Sequence, residues 1–584
     1  MTANLFNEYT FNMNGLLIIV VTYIGFLLAY RWYGKRLGSI VFGLIASNKT
    51  PAHVHQDGHD FVPSKKGLVF GHHFTSIAGT GPIVGPAIGV IWGWLPALIW
   101  VVFGSIFMGA VHDLGALVVS LRHDGRSICD IANDLVSKRV QQLVFFIVCL
   151  ALWIVIAIFG LVIAIIFHLF PESVGPVWAE IPIAIAFGFF VRRYPGQFKF
   201  ISALAILAMC VVVAVGHWFP ITMPLVFGIP ATGIWTVLLL AYACIASVLP
   251  VQTLLQPRDY LNAWQLVIAL GLLMVGAVAS GLMGKLTMVA PAVVAAPIGA
   301  PAMMPFLFIT IACGAISGFH SLVASGTTSK QLSSESDAVA VGFGSMLVEG
   351  ALAVMVIVAC CAGIGMGYPT DGGSILMGQA AWQSHYASWG ASAGLASKLH
   401  AVVVGAANMM TSLGVPQSLG IVIMGVFIAS FAGTTLDTST RLQRYMITEL
   451  GNSLNIRFST ISATLLAVVT GALLAFSSGA SGKGALQLWP LFGALNQLLA
   501  SIGLGLITLY ILKTRPRFVM VSAIPFLFML MMTLWATTHN QWQFFQQQQW
   551  LLLSINSLVL FAAVGISVGI FKCFRQRVTT SPVV

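Results

Sequence analysis

Three acids stand where acids are costly. Of the sixteen Asp and Glu, all but Asp113, Glu349 and, at the edge of its apolar run, Asp437 fall at the N-terminus, in loops or at run ends. A carboxyl group inside an apolar run is expensive and is ordinarily retained for a function, such as carrying a proton. Asp113 lies about two helical turns, and Glu349 about two and a half, from the nearer end of its run. Histidines accompany them: His72 and His73, His112 beside Asp113, and His320. Ser317, Ser321 and Ser325 recur every fourth residue, so they share one helical stripe with His320 on its shoulder. Such a stripe faces protein or water, not lipid. Its hydroxyls suit a cation, and the acids and imidazoles suit a proton; the residues do not choose between the two. The plain alternative is a structural hydrogen bond for each Ser and a structural partner for each acid.

Freed backbone is a second source of ligands. The run 67–92 holds Gly79, Gly81, Gly85 and Gly89 together with Pro82 and Pro86. Each Pro removes a donor and clashes with the preceding turn, while Gly lets the chain leave helical dihedrals, so the helix is predicted to unwind near 79–82. Non-helical backbone at membrane depth survives only beside protein or a watery cavity, and in transporters such breaks line the substrate site. Tight G-x-x-x-G packing is the alternative, although it needs no prolines. A second interruption is expected at Ala246–Gln252, around Ser247, Pro250 and Gln252.

The elements that position these residues emerge from composition. The chain has 584 residues, 58% hydrophobic and only 7% charged, which excludes a water-soluble globule, a disordered chain and a disulfide scaffold. About fifteen apolar runs are long enough to read as spans of an all-α integral membrane protein. They lie near 14–30, 67–92, 94–120, 141–168, 180–191, 200–219, 232–254, 264–284, 304–325, 340–366, 416–436, 458–478, 486–511, 518–536 and 551–571. With the N-terminus outside, every Lys and Arg except Lys285, Lys398 and Lys483 falls on the cytoplasmic side, as the positive-inside rule requires. The charge of +11 is therefore topological, with anionic lipid rather than nucleic acid as its counterpart. An apolar segment near 399–414, in the longest external stretch, reads as a re-entrant or interfacial helix, and Gln541–Trp550 suits a membrane interface. The two interruptions are five runs apart and run in opposite directions, the pattern of an inverted repeat of two five-helix units. That divides the chain into 1–66, a first helix and loop; 67–436, a ten-helix core; and 437–584, a bundle of about four helices.

Several chemistries are excluded. Gly479–Gly484 around Lys483 lacks P-loop spacing, Gly79–Gly85 misses the dinucleotide fingerprint and lies inside an apolar run, and no H-E-x-x-H occurs. The eight Cys show no C-x-x-C and read as packed thiols. His53, His55 and His59, with Asp57 and Asp60, are metal-ligand types at alternating positions, but a solvated loop turning at Gly58 is the simpler account.

Six segments carry a resemblance: GLVFGHHFTSIAGTGPIVGP at 67–86, RHDGRS at 122–127, PRDYLN at 257–262, TIACGAISGFHSLVASGTTSK at 310–330, TTLDTSTRLQRY at 434–445 and WPLFGALNQ at 489–497. Through them the chain resembles the carbon starvation protein A family of bacterial peptide transporters. The resemblance implies uptake of small peptides when carbon is scarce, pyruvate import in some members, and a LeuT-like core of the amino acid-polyamine-organocation (APC) type.

The reading expected from residues and resemblance together is a secondary active transporter of the bacterial inner membrane, C-terminus cytoplasmic, working by alternating access. It is not an enzyme and has no cofactor, only a co-transported proton, with sodium the alternative ion. Gly79, Thr80, Gly81, Pro82, Ser247, Gln252, Ser317, His320 and Ser321 are expected to hold the peptide. Asp113, Glu349, His72, His73 and Ser325 are expected to couple the ion. A pyruvate or small monocarboxylate symporter is the alternative, and a peptide-binding membrane sensor a weaker one, since no sizeable soluble output domain is present. Oligomeric state is not legible in the residues.

Overall fold

The computed structural model describes residues 13–370, 373–390 and 395–580. Thirteen described helices are long and apolar enough to cross a membrane by length and composition. In chain order the first elements are α1 (Gly15–Val41), α2 (Lys66–Ala78), α3 (Gly81–Gly89), α4 (Trp94–Leu121), α5 (Ile128–Leu135), α6 (Lys138–Leu169), α7 (Pro171–Arg193), α8 (Pro195–Gly216), α9 (Ala231–Val248) and α10 (Leu255–Leu282). Next come α11 (Met303–Thr310), α12 (Gly318–Gly326), α13 (Glu335–Met366), α14 (Gly378–Tyr386) and α15 (Leu395–Thr411). The last five are α16 (Gln417–Ser453), α17 (Thr460–Ala475), α18 (Trp489–Thr514), α19 (Met520–Gln546) and α20 (Trp550–Thr580). The protein is an all-α, multi-pass membrane protein.

Local chemistry sets several boundaries. Ser127 and Ser137 accept hydrogen bonds from Asp130 N and Val140 N, capping α5 and α6. The 37 residues of α16 reach about 55 Å, well beyond a hydrocarbon core of ~30 Å. From its midpoint onward it carries the polar run Thr434–Arg444, buried against other helices. The weak run at 180–191 is part of a full helix, α7, in which Glu172 and Glu180 dilute the apolar signal.

The first interruption falls where the glycines and prolines place it. α2 ends at Ala78, Gly79 adopts φ +23°, and Pro82 sits in the first turn of α3, where its missing N–H costs nothing. The second does not lie at Ala246–Gln252. There α9 ends at Val248, Leu249 before Pro250 is extended (φ −66°, ψ 150°), and α10 begins at Leu255, so the segment is a turn between two helices. The second interruption splits the run 303–326 into α11 and α12, with Ile311–Ser317 non-helical and Gly314 at φ +89°. No proline marks Ile311–Ser317, and a lone Gly among apolar residues is a weak signal.

The two interruptions meet. A Cβ on Gly85 would stand 2.7 Å from the Thr310 carbonyl oxygen, and one on Gly81 would collide with Cys313. Around them α6 and α16 run against each other, α3 lies on α13, α12 packs between α4 and α18, and α2 lies on α10. The loops bearing most of the basic residues share one end of the bundle: Arg122 bonds the Gly43 carbonyl at 3.1 Å and Arg515 the Ile40 carbonyl at 2.5 Å.

Candidate functional site

Beside the second interruption lies a charged network contributed by three helices. His320, in the first turn of α12, places Nδ1 2.9 Å from Asp113 Oδ2 on α4. Its Nε2 lies 3.4 Å from Glu349 Oε2 on α13, without hydrogen-bond alignment. The other Asp113 oxygen is 2.8 Å from His112 Nδ1, and Glu349 Oε1 accepts from Gly314 N at 3.0 Å. All four side chains are fully buried. His112 Nε2, His320 Nε2 and Glu349 Oε2 make no hydrogen bond.

A π-helical turn precedes the acids on each flanking helix, Ser105–Gly109 before His112 and Asp113, and Val339–Gly344 before Glu349. Such a turn adds a residue to the coil and rotates the side chains beyond it, and it recurs at functional sites. On α12 the orphan N-terminal donors are met from outside: Asn496 Oδ1 of α18 accepts from Phe319 N at 3.0 Å and from Ser317 Oγ at 3.1 Å.

A cavity of about 750 Å³ reaches Cys313, beside this network, and extends away from it between the helices. Thr80, Gly81 and Gly85 of the first interrupted pair, and Thr310, Ala312 and Cys313 of the second, form its floor. Cys313 also faces the charged network: its Sγ and donor atoms of His320 and Glu349 lie within 4.8 Å of one another. Thiolate, imidazole and carboxylate are acceptable ligands for a transition metal. His320 Nδ1 and Glu349 Oε1 are engaged with Asp113 and Gly314, which leaves His320 Nε2 and Glu349 Oε2 as the atoms facing Cys313. Toward its mouth the cavity is lined by Trp389, Lys398 and, from α19, Asn540, Gln543 and Gln547. The segment read as a membrane-interface tail thus continues a helix and turns amides into the cavity.

The remaining expected residues are dispersed. Ser317, His320 and Ser321 lie at or just beyond the second interruption, but Ser321 and Ser325 donate to the Gly318 and Ser321 carbonyls of their own helix, and Ser317 lies in the non-helical segment. His72 bonds Asp259 of α10 at 2.6 Å, and His73 Nδ1 lies 2.8 Å from Thr328 Oγ1. Ser247 and Gln252 sit away from the interruptions: the Ser247 hydroxyl donates to Cys244 O, and Gln252 O lies near Gly188 of α7. Pro250 ends a span there and does not break one, so these two residues do not join Gly79–Pro82. The loop imidazoles do not converge, with His55 3.7 Å from Asp124 and His59 3.3 Å from Asp60.

Sequence reasoning missed a second buried charge pair. Arg258 Nη1 lies 2.5 Å from Asp437 Oδ2, and Tyr242 donates to the same oxygen at 2.9 Å. The charge pattern puts Arg258 in a cytoplasmic loop, yet it is 4% exposed and belongs to the first turn of α10. Its occurrence in PRDYLN, next to the long run of α10, was the available signal. Glu180 of α7 similarly accepts from Ser430 of α16.

At the basic-loop end, Asp60 pairs with Arg441 at 3.1 Å and accepts from Tyr445 at 2.6 Å. Arg441 also holds the Leu249 carbonyl, and Val251 N bonds His59 O at 3.3 Å. Burial alone would raise the Asp60 carboxyl; the Tyr445 hydroxyl and the charges of Arg441, Lys330 and Arg444 outweigh it and hold it below the usual carboxylate value. These contacts tie the loop before α2 and the α9–α10 turn to α16 at this end, while the cavity lies toward the other.

The sequence matches the family described as "Carbon starvation protein CstA" over residues 14–536. A peptide transporter, CstA, of Campylobacter jejuni is 34% identical over 571 residues, covering 90% of this chain and 80% of its own. The pyruvate/proton symporter BtsT of Escherichia coli K12 is 31% identical over 598 residues, covering 90% and 81%. Among solved structures, MhsT in complex with L-phenylalanine aligns with a TM-score of 0.45 at 12% identity, covering 80% of this chain and 98% of that one. With the family match spanning most of its length, this chain belongs to the carbon starvation protein CstA family.

Proposed function

We propose that the protein is a secondary active transporter that imports small peptides across the bacterial inner membrane, N-terminus outside and C-terminus cytoplasmic, coupled to protons. The observation that carries this reading is the junction at Cys313, where a cavity of about 750 Å³ meets the buried Asp113–His320–Glu349 network. The volume lies in the ~300–1,000 Å³ range of sites for drug-sized ligands, ample for a dipeptide. The amides of Asn540, Gln543 and Gln547 match the hydrogen-bonding needs of a peptide group. The relatives named as peptide transporters support the same substrate class.

Substrate enters from the hollow end and rests on Thr80, Gly81 and Thr310–Cys313, where the N-terminus of α3 offers positive dipole and the C-terminus of α11 negative. His320 exchanges a proton with Asp113 and Glu349, and Gly314 N, bonded to Glu349, couples that exchange to the interrupted segment. Release of Asp60 from Arg441 opens the basic-loop end.

The LeuT-like inverted repeat is read from the interruptions. α2–α3 and α11–α12 each lead into a long helix, α4 or α13, then into short helices, and then into α6 or α16. α10 lies on α2 as α18 lies on α12. The ten-helix core then spans 66–514, with α7–α8 as an additional hairpin.

A pyruvate symporter is the second reading, favoured by the similarity to BtsT. Uptake of labelled dipeptide into proteoliposomes under an imposed pH gradient, then a sodium gradient, tests the assignment. Accumulation driven by the pH gradient supports it; accumulation driven by sodium alone overturns proton coupling. Uptake of labelled pyruvate that dipeptides do not compete with, and no uptake of labelled dipeptide, selects the second reading.

A further inference from the structure

Among the described residues lining the cavity, Lys398 is the charged one, and none of them is an acid. It stands in the first turn of α15, only 5% exposed. Its ammonium lies 5.6 Å from the Tyr386 ring centroid and 5.7 Å from that of Trp389, and among the described residues no carboxylate pairs with it. Taking an ammonium out of water without a counter-ion is costly, and a cation–π contact returns only a small part of that cost. A fold that keeps such a group against a cavity gains when an anion enters.

Resting on the transport reading above, we infer that Lys398 is the recognition group for the substrate's carboxylate, the terminal carboxylate of a small peptide or the single carboxylate of a 2-oxo acid. The position makes chemical sense for both. The rest of the described lining is uncharged, so one fixed cation orients a guest by its carboxylate, with the remainder of the guest directed toward the floor at Thr80 and Cys313. The aromatic faces of Tyr386 and Trp389 hold the ammonium without neutralising it, leaving its donors for the ligand. Lys398 also explains an oddity of the charge pattern, since it is one of the few basic residues on the expected outer side.

The test uses the full-length protein in nanodiscs and two matched probe pairs: alanylalanine against its C-terminal amide, and pyruvate against pyruvamide. The parent is expected to bind the free acid of at least one pair about tenfold more tightly than its neutral partner. Lys398→Gln is expected to bring that ratio to about one, whereas Lys398→Arg keeps most of it. A Lys398→Gln protein that retains the preference overturns the assignment while leaving the transport reading intact. A parent that binds none of the four probes overturns the transport reading and this inference together. Should Lys398→Gln fail to fold, titration of the parent decides: an acid-to-amide affinity ratio that falls toward one through the Lys398 ionisation supports the assignment, and a ratio that does not change with pH overturns it.

Discussion

Gly85 and Thr310 bring the two interrupted helices together backbone to backbone: a Cβ on Gly85 would lie 2.7 Å from the Thr310 carbonyl oxygen and 3.3 Å from Ile311 Cα. Neither neighbour is the end of a flexible side chain, so a methyl group there must move main chain. Gly85→Ala is expected to cost about 1–3 kcal/mol of stability and to abolish uptake at normal expression. Thermal unfolding and uptake measured on the same preparation check it.

Asp437 is expected to matter for folding. It holds Arg258 at 2.5 Å where both are nearly fully buried, and removing one partner of such a pair costs about 3–5 kcal/mol. Asp437→Asn should therefore lower the melting temperature or the yield sharply. Replacing Arg258 and Asp437 together by Met and Leu should recover part of the loss, which a double-mutant cycle on melting temperature measures.

The pH dependence of ligand binding should report Lys398. Burial pushes its ammonium down to about 8, and the charge that binds a carboxylate is present below that value and lost above it. Affinity for a carboxylate ligand is expected to be flat from pH 6 to 7 and to fall about tenfold per unit well above pH 8. Cys360, His385, Tyr386, His400 and Tyr368 stand around Lys398 or one another. His385 is pushed down to about 4, first by burial and then by Lys398, so it stays neutral across this range and adds no step. Isothermal titration between pH 6 and 10 checks the profile.

Asp60 should act as a latch. Its carboxyl is held below the usual value, so the stabilisation it gives the closed end is complete at neutral pH and lost only as pH falls through its folded value. Asp60→Asn is expected to raise amide hydrogen exchange in 57–65 and 249–256 about tenfold or more at neutral pH, leaving α6 unchanged.

Much of this was legible in the residues because it rests on composition and period. Thirteen of the fifteen apolar runs are helices long enough to span, while the run 304–325 is split and 458–478 holds only the 16 residues of α17; glycine with proline marks the break at Gly79. Asp113, His320 and Glu349 stood out individually because charge inside an apolar run is rare. Their meeting was not legible, since it depends on π-helical turns in α4 and α13 and on an interruption of α11–α12 that carries no proline. The proline at 250 misled for a physical reason: it stops a helix equally well at the end of a span and in the middle of one. Lys398 reads from sequence as an external charge, because nothing local distinguishes a solvated lysine from one folded against Tyr386 and Trp389.

In the proposed mechanism His320 and its two acids move the coupling proton. Accumulation of labelled dipeptide against its gradient, driven by an imposed pH difference, should be lost in Asp113→Asn proteoliposomes while equilibrium binding of the same peptide stays within about threefold of the parent, a difference below ~1 kcal/mol. Undiminished accumulation in Asp113→Asn, or in a parent with the pH difference collapsed, would contradict the account.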